Sequence, residues 1–269
     1  MEQVVDIPYT SDPENRLLSF DLHVPPSARD GSIIIFVHGG AWGGGDKSKH
    51  QELASQLAMA SRFPVLVPNY RLTTKANKFH HPGHTEDILH FLEFLTTWEG
   101  TLNTTGRGMY LVGHSAGAHI LASIFLDSSA ISPSLTPSPA VLRATRGIVL
   151  VEGIYDIDLL LARFPAYRDW FIAAAFDDRQ SYADASTTKL PLWKDESFQA
   201  RWLVVHSTGD TLVDSPQSEG MYEHLRALYG GAANTQVART FDQLDMEHDD
   251  VLDAPLFIEI VRAFVEGSS

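Results

Sequence analysis

Cysteine is missing from this sequence altogether. Its absence excludes disulfides, thiolate zinc sites and a cysteine nucleophile. Positive charge is scarce: 20 Lys and Arg stand against 34 Asp and Glu, a net charge of −14. That balance argues against electrostatic binding of nucleic acid or of an anionic membrane surface. Residues 1–20 carry neither the basic region nor the apolar run of a secretory signal. No apolar stretch reaches the roughly 20 residues that a membrane-spanning helix needs. These absences predict a cytoplasmic protein with no membrane or nucleic-acid partner, and they leave a homodimer open. No repeat, low-complexity tract or interior linker divides the 269 residues, so a single domain over 1–269 is the simplest expectation.

What is present is a succession of apolar, β-branched runs: LLSFDLHV, SIIIFVH, PVLVPNY, GMYLVGH, GIVLVEG, WLVVHS and TQVARTF. The third to the sixth show little polar alternation, as expected of strands covered on both faces of a parallel sheet. Helical patterns separate them: QELASQLAMA, HTEDILHFLEFLTTW, AGAHILASIFL and, near the end, LFIEIVRAFV. Strand alternating with helix predicts an α/β protein, a mostly parallel, doubly wound sheet with helices on both faces. EQVVDIPYT and LLSFDLHVPP have no helix between them and predict an antiparallel hairpin at one edge. Residues 127–140 read as a Ser/Pro-rich surface loop. Residues 156–199 exceed a simple crossover and are expected to add helices over one end of the sheet.

The chemistry begins at Gly113-His114-Ser115-Ala116-Gly117. A G-x-S-x-G between a strand and a helix is the setting of a nucleophile elbow, a strained turn that aims the serine hydroxyl into a crevice. The glycines avoid clashes with neighbouring backbone; His114 and His119 read as packing residues. A serine hydroxyl needs a general base, and the base needs an orienting carboxylate, in chain order Ser, acid, His. WLVVHSTGDTLVD offers Asp210 in the loop after a strand. Asp214 is the rival, but DSPQS reads as a helix start with Ser215 at the N-cap and Pro216 at N1. Of the twelve histidines, His248 alone lies in the loop before the last helix. Asp249-Asp250 beside it read as a solvated loop, not as a metal site.

The tetrahedral intermediate of acyl transfer needs N–H donors for its oxyanion. One is expected from Ala116, the residue after the serine. The others are expected from Gly39 and Gly40 of HGGAW, where the missing Cβ lets the backbone approach the substrate. Gly43, Gly44 and Gly45 are expected to serve loop flexibility only. Trp42, set between two glycine clusters where full burial is not expected, reads equally as a wall of the acyl pocket and as a lid or packing residue.

With these motifs the chain resembles the α/β-hydrolase superfamily on the side of the hormone-sensitive lipases, and within it the kynurenine formamidases (arylformamidases) of fungal type. The resemblance rests on His38-Gly39-Gly40-Ala41-Trp42, on GHSAGA at 113–118, on NYRL at 69–72, and most specifically on VEGIYDIDLLLARFPAYRDWFIAAAFDD at 151–178. VVHSTGDTLV and EHDDV match the acid and histidine loops. The resemblance implies an α/β-hydrolase fold and a Ser115, Asp210, His248 triad. It implies a serine hydrolase that converts N-formyl-L-kynurenine to L-kynurenine and formate, in tryptophan catabolism toward NAD. It implies no cofactor, and no metal site is expected.

An aryl formamide asks for a tight formyl site and an aromatic surface, for which Trp42, Tyr70 and Tyr155 are the candidates. The carboxylate of its amino-acid tail points to Arg71 or His114. The short segment before HGGAW predicts a minimal lid, suited to a small soluble substrate. A broad short-chain carboxylesterase with the same triad is the alternative, separated by relative rates on N-formylkynurenine and p-nitrophenyl acetate. A non-catalytic binding module is disfavoured because both the serine and the histidine are in place.

Overall fold

The computed structural model describes residues 1–11, 16–77 and 79–267. Its centre is one eight-stranded sheet in the order β1-β2-β4-β3-β5-β6-β7-β8. The strands are β1 (Glu2–Pro8), β2 (Ser19–Val24), β3 (Ser32–Val37), β4 (Val65–Pro68), β5 (Gly108–His114), β6 (Thr145–Val151), β7 (Arg201–Val205) and β8 (Val237–Thr240). β1 and β2 form the expected antiparallel edge hairpin, and β2 joins β4 antiparallel. From β4 across to β8 every pairing is parallel.

The apolar runs become central strands because both faces are covered. Along β3, Ile33, Ile35 and Val37 enter the core on one side, while Ile34 and Phe36 enter the core on the other. β5, β6 and β7 divide in the same way. Such two-sided burial confines the polar side chains that reach solvent to the starts of the strands, as at Arg146 and Arg201. β1, with one face to solvent, keeps Glu2, Gln3 and Asp6.

The helices are α1 (Gln51–Ser61), α2 (Gly83–Leu95), α3 (Ala116–Phe125), α4 (Pro139–Ala144), α5 (Ile157–Arg163), α6 (Ala173–Phe176), α7 (Ser215–Tyr229), α8 (Ala233–Gln236) and α9 (Pro255–Glu266). α1 and α9 cover one face of the sheet; α2, α3 and α7 cover the other. α9 buries Phe257, Val261, Phe264 and Val265, a stripe at helical spacing. No helix among the described residues is long and apolar enough to cross a membrane.

This topology places the site. After β3 the chain moves outward to β4, then returns to β5 on the other side of β3. The order reverses between β3 and β5, and at such a switch point the loops leaving the two strands part and open a crevice. Val37 pairs with Gly113, so the HGGAW turn and the Ser115 turn leave the sheet side by side. The ends of β6 and β7 follow in register, Val151 beside Val205. Residues 156–199 do add short helices, α5 and α6, joined through a π-helical turn at Arg168–Ile172.

Candidate active site

Ser115 has φ 55° and ψ −119°, a conformation unfavourable for any side chain but glycine. Its N–H donates to the Val151 carbonyl at 2.8 Å, which pins the turn to β6. The flanking glycines are forced by crowding. A Cβ at Gly113 would lie 2.6 Å from the Gly117 carbonyl oxygen, and one at Gly117 would collide with the Val37 carbonyl. α3 starts at once, so the N–H groups of Ala116 and Gly117 have no partner within the helix.

The turn after β3 is held in a left-handed path by Gly40, Ala41 and Trp42, with φ of 105°, 52° and 58°. The Gly40 carbonyl accepts from the N–H groups of Gly43 and Gly44 at 3.1 and 2.8 Å. Gly39 passes so close to the elbow that a Cβ there would sit 2.8 Å from Ser115 Cβ. Gly40 and Ser115 line the same cavity, of about 800 Å³. Gly39, Gly40 and Ala116 are thus brought together around Ser115.

His248 lines that cavity too. Its Nδ1 lies 2.7 Å from Asp210 Oδ2, so the imidazole keeps its proton on Nδ1 and presents Nε2 as an acceptor. The side chain of Asp210 is fully buried. Its other oxygen accepts the N–H groups of Leu212 and Val213, each at 2.9 Å, which fixes the carboxylate toward the histidine. His114 Nε2 donates to the His248 carbonyl at 3.0 Å and so clips the histidine loop to the strand that carries Ser115. Burial pushes the His114 imidazole well below the usual histidine range, which keeps it neutral for that task. No hydrogen bond joins Ser115 to His248 among the described residues; both line the one cavity.

Several expectations need correction. Trp42, Tyr70 and Tyr155 are fully buried and do not line the cavity. Trp42 turns under its loop and meets His119 and Phe176 edge-on at 5.1 and 4.7 Å, so it fastens HGGAW to α3 and α6. Tyr70 stacks on His38 at 4.5 Å and donates its hydroxyl to the His38 carbonyl at 3.0 Å, supporting the same loop from below. The Tyr155 ring lies beneath the end of β6, where a Cβ on Gly153 would run into it. Arg71 is committed to a forked pair with Asp87 and lies over Phe79. Asp214, rather than Ser215, is the residue preceding α7, and it pairs with Arg163. Gly45 has a φ of 95°, and a Cβ there would run into the His38 ring, so it is a structural requirement rather than a source of flexibility.

The residues that do wall the cavity come from the segment after β6 and from the loops after β4 and β7. Tyr167, Trp170 and Phe171 form an aromatic side, Ile154, Leu212 and Val213 an aliphatic one. Tyr167 donates its hydroxyl to the Leu212 carbonyl at 3.1 Å and ties this cover to the acid loop. Trp170 is 63% exposed. Lys75, His80, Asp169 and Asp177 add charge and polarity. One further group escaped the sequence reading. Glu152, the residue after β6, is buried against His114, Ser207 and His248, and burial together with the Asp210 charge pushes its carboxyl up to about 9. The groupings close enough to hold a cation, Glu152–Asp210–His248 and His114–His248–Asp249, would each occupy a nitrogen of His248.

Comparison with known proteins bears on this arrangement. A family profile described as BD-FAE matches residues 20–133. A kynurenine formamidase of Meyerozyma guilliermondii is 31% identical over 198 residues, covering 72% of this chain and 71% of the relative. A kynurenine formamidase of Saccharomyces cerevisiae is 26% identical over 224 residues, covering 79% and 81%. Among solved structures, esterase B from Lactobacillus rhamnosis superimposes with a TM-score of 0.75 at 17% identity, covering 99% of this chain and 86% of that one, a likeness of fold.

Proposed function

The chain belongs to the kynurenine formamidase family of α/β-hydrolases, and from that premise we propose that it hydrolyses N-formyl-L-kynurenine to L-kynurenine and formate through Ser115, His248 and Asp210. The reading is carried by one observation: a serine on a left-handed elbow shares its cavity with an imidazole already held by a buried carboxylate. In the proposed reaction His248 Nε2 takes the Ser115 proton while Oγ attacks the formyl carbon. Gly39, Gly40 and Ala116 supply N–H groups to the oxyanion. The imidazolium then protonates the aryl amine as the C–N bond breaks, leaving a formyl ester on Ser115. Water, deprotonated by His248, attacks that ester, and formate leaves as Ser115 regains its proton. Asp210 stabilises the imidazolium at both stages.

The small formyl group needs no acyl pocket beyond the space beside Gly40. The aryl portion takes the aromatic side formed by Tyr167, Trp170 and Phe171, and Lys75 and Asp169 offer opposite charges to the zwitterionic tail. Within this reading the enzyme acts as a single-domain, cofactor-free, cytoplasmic step of tryptophan catabolism toward NAD. The volume of the cavity favours a second reading, a broad short-chain carboxylesterase using the same three residues. The ratio of kcat/KM on N-formylkynurenine to that on p-nitrophenyl acetate decides between them. A ratio strongly in favour of the formamide is expected, and one in favour of the ester would move the assignment to the second reading. A phosphonate label recovered on any peptide other than GHSAGAH would remove Ser115 from both.

A further inference from the structure

Glu152 has no task in that reaction, yet it is placed as tightly as the residues that do. It follows β6 directly with a φ of 49°, a left-handed conformation that costs a non-glycine residue on the order of 1 kcal/mol or more. Its carboxyl is fully buried. Oε1 accepts the Ser207 N–H at 3.1 Å. Oε2 has no hydrogen-bond partner among the described residues and stands 3.6 Å from His248 Nδ1 and 3.6 Å from His114 Nε2. Asp210 Oδ2 reaches the same Nδ1 at 2.7 Å. One imidazole nitrogen therefore has two carboxyl groups before it, from the ends of two adjacent strands.

The titratable groups around Glu152 are His114 from β5, Asp210 from the loop after β7, and His248, Glu247 and Asp249 from the last loop, with Tyr155 three residues further along its own segment. None is a permanent cation. Two ionised carboxyls in this dry space would carry two negative charges with no counter-ion, so the pair keeps one proton and shares one charge. Glu152, whose value is pushed up by burial and by the acidic groups around it, keeps the proton; Asp210 holds the shorter contact to Nδ1 and accepts two backbone N–H groups.

We propose that Glu152 is a second acid for His248, a positioning residue that takes over Nδ1 when the Asp210 carboxylate is neutralised or removed. The proposal rests on the Ser115–His248–Asp210 reading above. Burial is the larger cause that holds the proton on Glu152 and the Asp210 charge the next, so loss of that charge lowers the Glu152 value while burial still keeps it above that of a free side chain. At a pH above that lowered value the proton goes to solvent, and Oε2 accepts the Nδ1–H. The distance to close is under 1 Å, from 3.6 Å to the roughly 2.7–2.9 Å of a charge-assisted hydrogen bond. The histidine keeps its tautomer and its counter-charge, drawn from β6 instead of β7.

The test is the rate at which a fluorophosphonate modifies Ser115, a reaction that needs the triad whatever the natural substrate is. In the Asp210→Ala background, adding Glu152→Gln is expected to slow labelling a further ~10- to 100-fold, the size of coupling found between members of one network. In the wild-type background the same substitution should cost several-fold less than it does beside Asp210→Ala. The labelling of Asp210→Ala should also rise with pH through an ionisation that Asp210→Ala/Glu152→Gln lacks. An equal factor in both backgrounds, with no change of pH profile, would reduce Glu152 to a packing residue and overturn the proposal while leaving the triad intact. His248→Ala labelled as fast as wild type would instead sink the triad reading itself. Should the double variant fail to fold, two single variants decide. The Asn amide of Asp210→Asn places a donor against Nδ1–H, whereas Asp210→Ala leaves that proton to Glu152. Asp210→Ala is expected to be the faster of the two, and equal or slower labelling overturns the proposal.

Discussion

The strand ends and the segment that covers them occupy opposite sides of one cavity, and they are built by different means. At the strand ends the backbone itself is held in unfavourable states: Ala41, Trp42, Ser115 and Glu152 all have positive φ, between 49° and 58°. Each is kept there by neighbours that leave no alternative, such as the Val151 carbonyl on Ser115 N–H and the His38–Tyr70 stack below HGGAW. The cover has one such residue among those described, Asp177 with φ 61° where α6 ends. It is a run of short helices, α5, a π turn and α6, whose aromatic side chains touch one another in sequence, with Trp170 left largely in solvent. The comparison teaches where the two halves of enzyme behaviour reside. Bond-making groups need fixed positions to within fractions of an ångström, and strain paid for by packing delivers that. Substrate choice needs surface and adaptability, and a loosely anchored aromatic wall delivers those.

The contrast can be broken most severely at the elbow. Ser115→Ala is expected to lower kcat by about 10⁴-fold or more, because serine and histidine act as a unit. Its thermal unfolding should match wild type, since the turn is held by backbone contacts. A variant that keeps a tenth of the activity would show that another group is the nucleophile.

Next in size is the HGGAW turn, where Gly45→Ala and Gly44→Ala separate requirement from tolerance. At Gly45 an added Cβ meets the His38 ring and lies 2.6 Å from the Gly39 carbonyl, on a backbone with φ of 95°. A loss of ~3 kcal/mol or more is expected, of the kind that strained backbone and overpacking produce together. At Gly44 the nearest atom is 3.4 Å away, and a change within about 1 kcal/mol is expected. Denaturant midpoints of the two variants measure this, and equal midpoints would mean that the turn has room the structure does not give it. Gly40→Ala, by contrast, collides with the Gly44 backbone, so it disturbs the fold and cannot isolate an oxyanion donor.

Glu152 supplies a pH test of the strand-end environment. Its folded value, about 9, lies above the 4.5 of the free side chain. Between those values the folded protein holds a proton that the unfolded chain has released, so this group makes stability fall as pH rises across the window. Urea midpoints taken at several pH values from 5 to 9 should decline more steeply for wild type than for Glu152→Gln, which cannot ionise. Parallel curves would mean that Glu152 is charged in the folded protein.

The smallest expected effect lies in the cover. Trp170→Ala should raise KM for N-formylkynurenine about 3- to 10-fold, an aromatic contact of ~0.5–1.5 kcal/mol, with kcat nearly unchanged. It should leave KM for p-nitrophenyl acetate closer to wild type, and an equal rise for both substrates would remove the ring from aryl recognition.

The same contrast explains what could be read in the chain. Strands such as SIIIFV and GMYLVGH were legible because burial on both faces leaves an unbroken apolar signature. Ser115, Asp210 and His248 could be singled out because each follows a strand in a fixed order; the structure brings Asp210 onto His248 and puts Ser115 and His248 on one cavity. Trp42, Tyr70 and Tyr155 misled because nearness along the chain to a motif says nothing about direction. At Trp42 the left-handed backbone turns the ring under the loop, a fact no pattern of residue types carries. Tyr167, Trp170 and Phe171 went unchosen because aromatic residues in a short helix read as core until tertiary packing leaves one side open. Glu152 has no signature at all: a lone acid after a strand is ordinary, and only three separate loops closing on it make it buried.

The clip between His114 and the His248 carbonyl has a consequence for how the protein comes into being. Chains are built from the N-terminus, at about 5–20 residues per second, and a domain generally folds as a unit. The elbow needs only β3, β5, β6 and α3, complete by Val151. His248 lies almost a hundred residues later, and its loop is fixed between β8 and α9. The serine turn is thus synthesised long before the residue it faces in the proposed reaction, and in a domain that folds as a unit the two meet only when the last strand and helix are in place. Labelling of Ser115 by a fluorophosphonate is then expected to report completion of the sheet and the docking of α9 against α1.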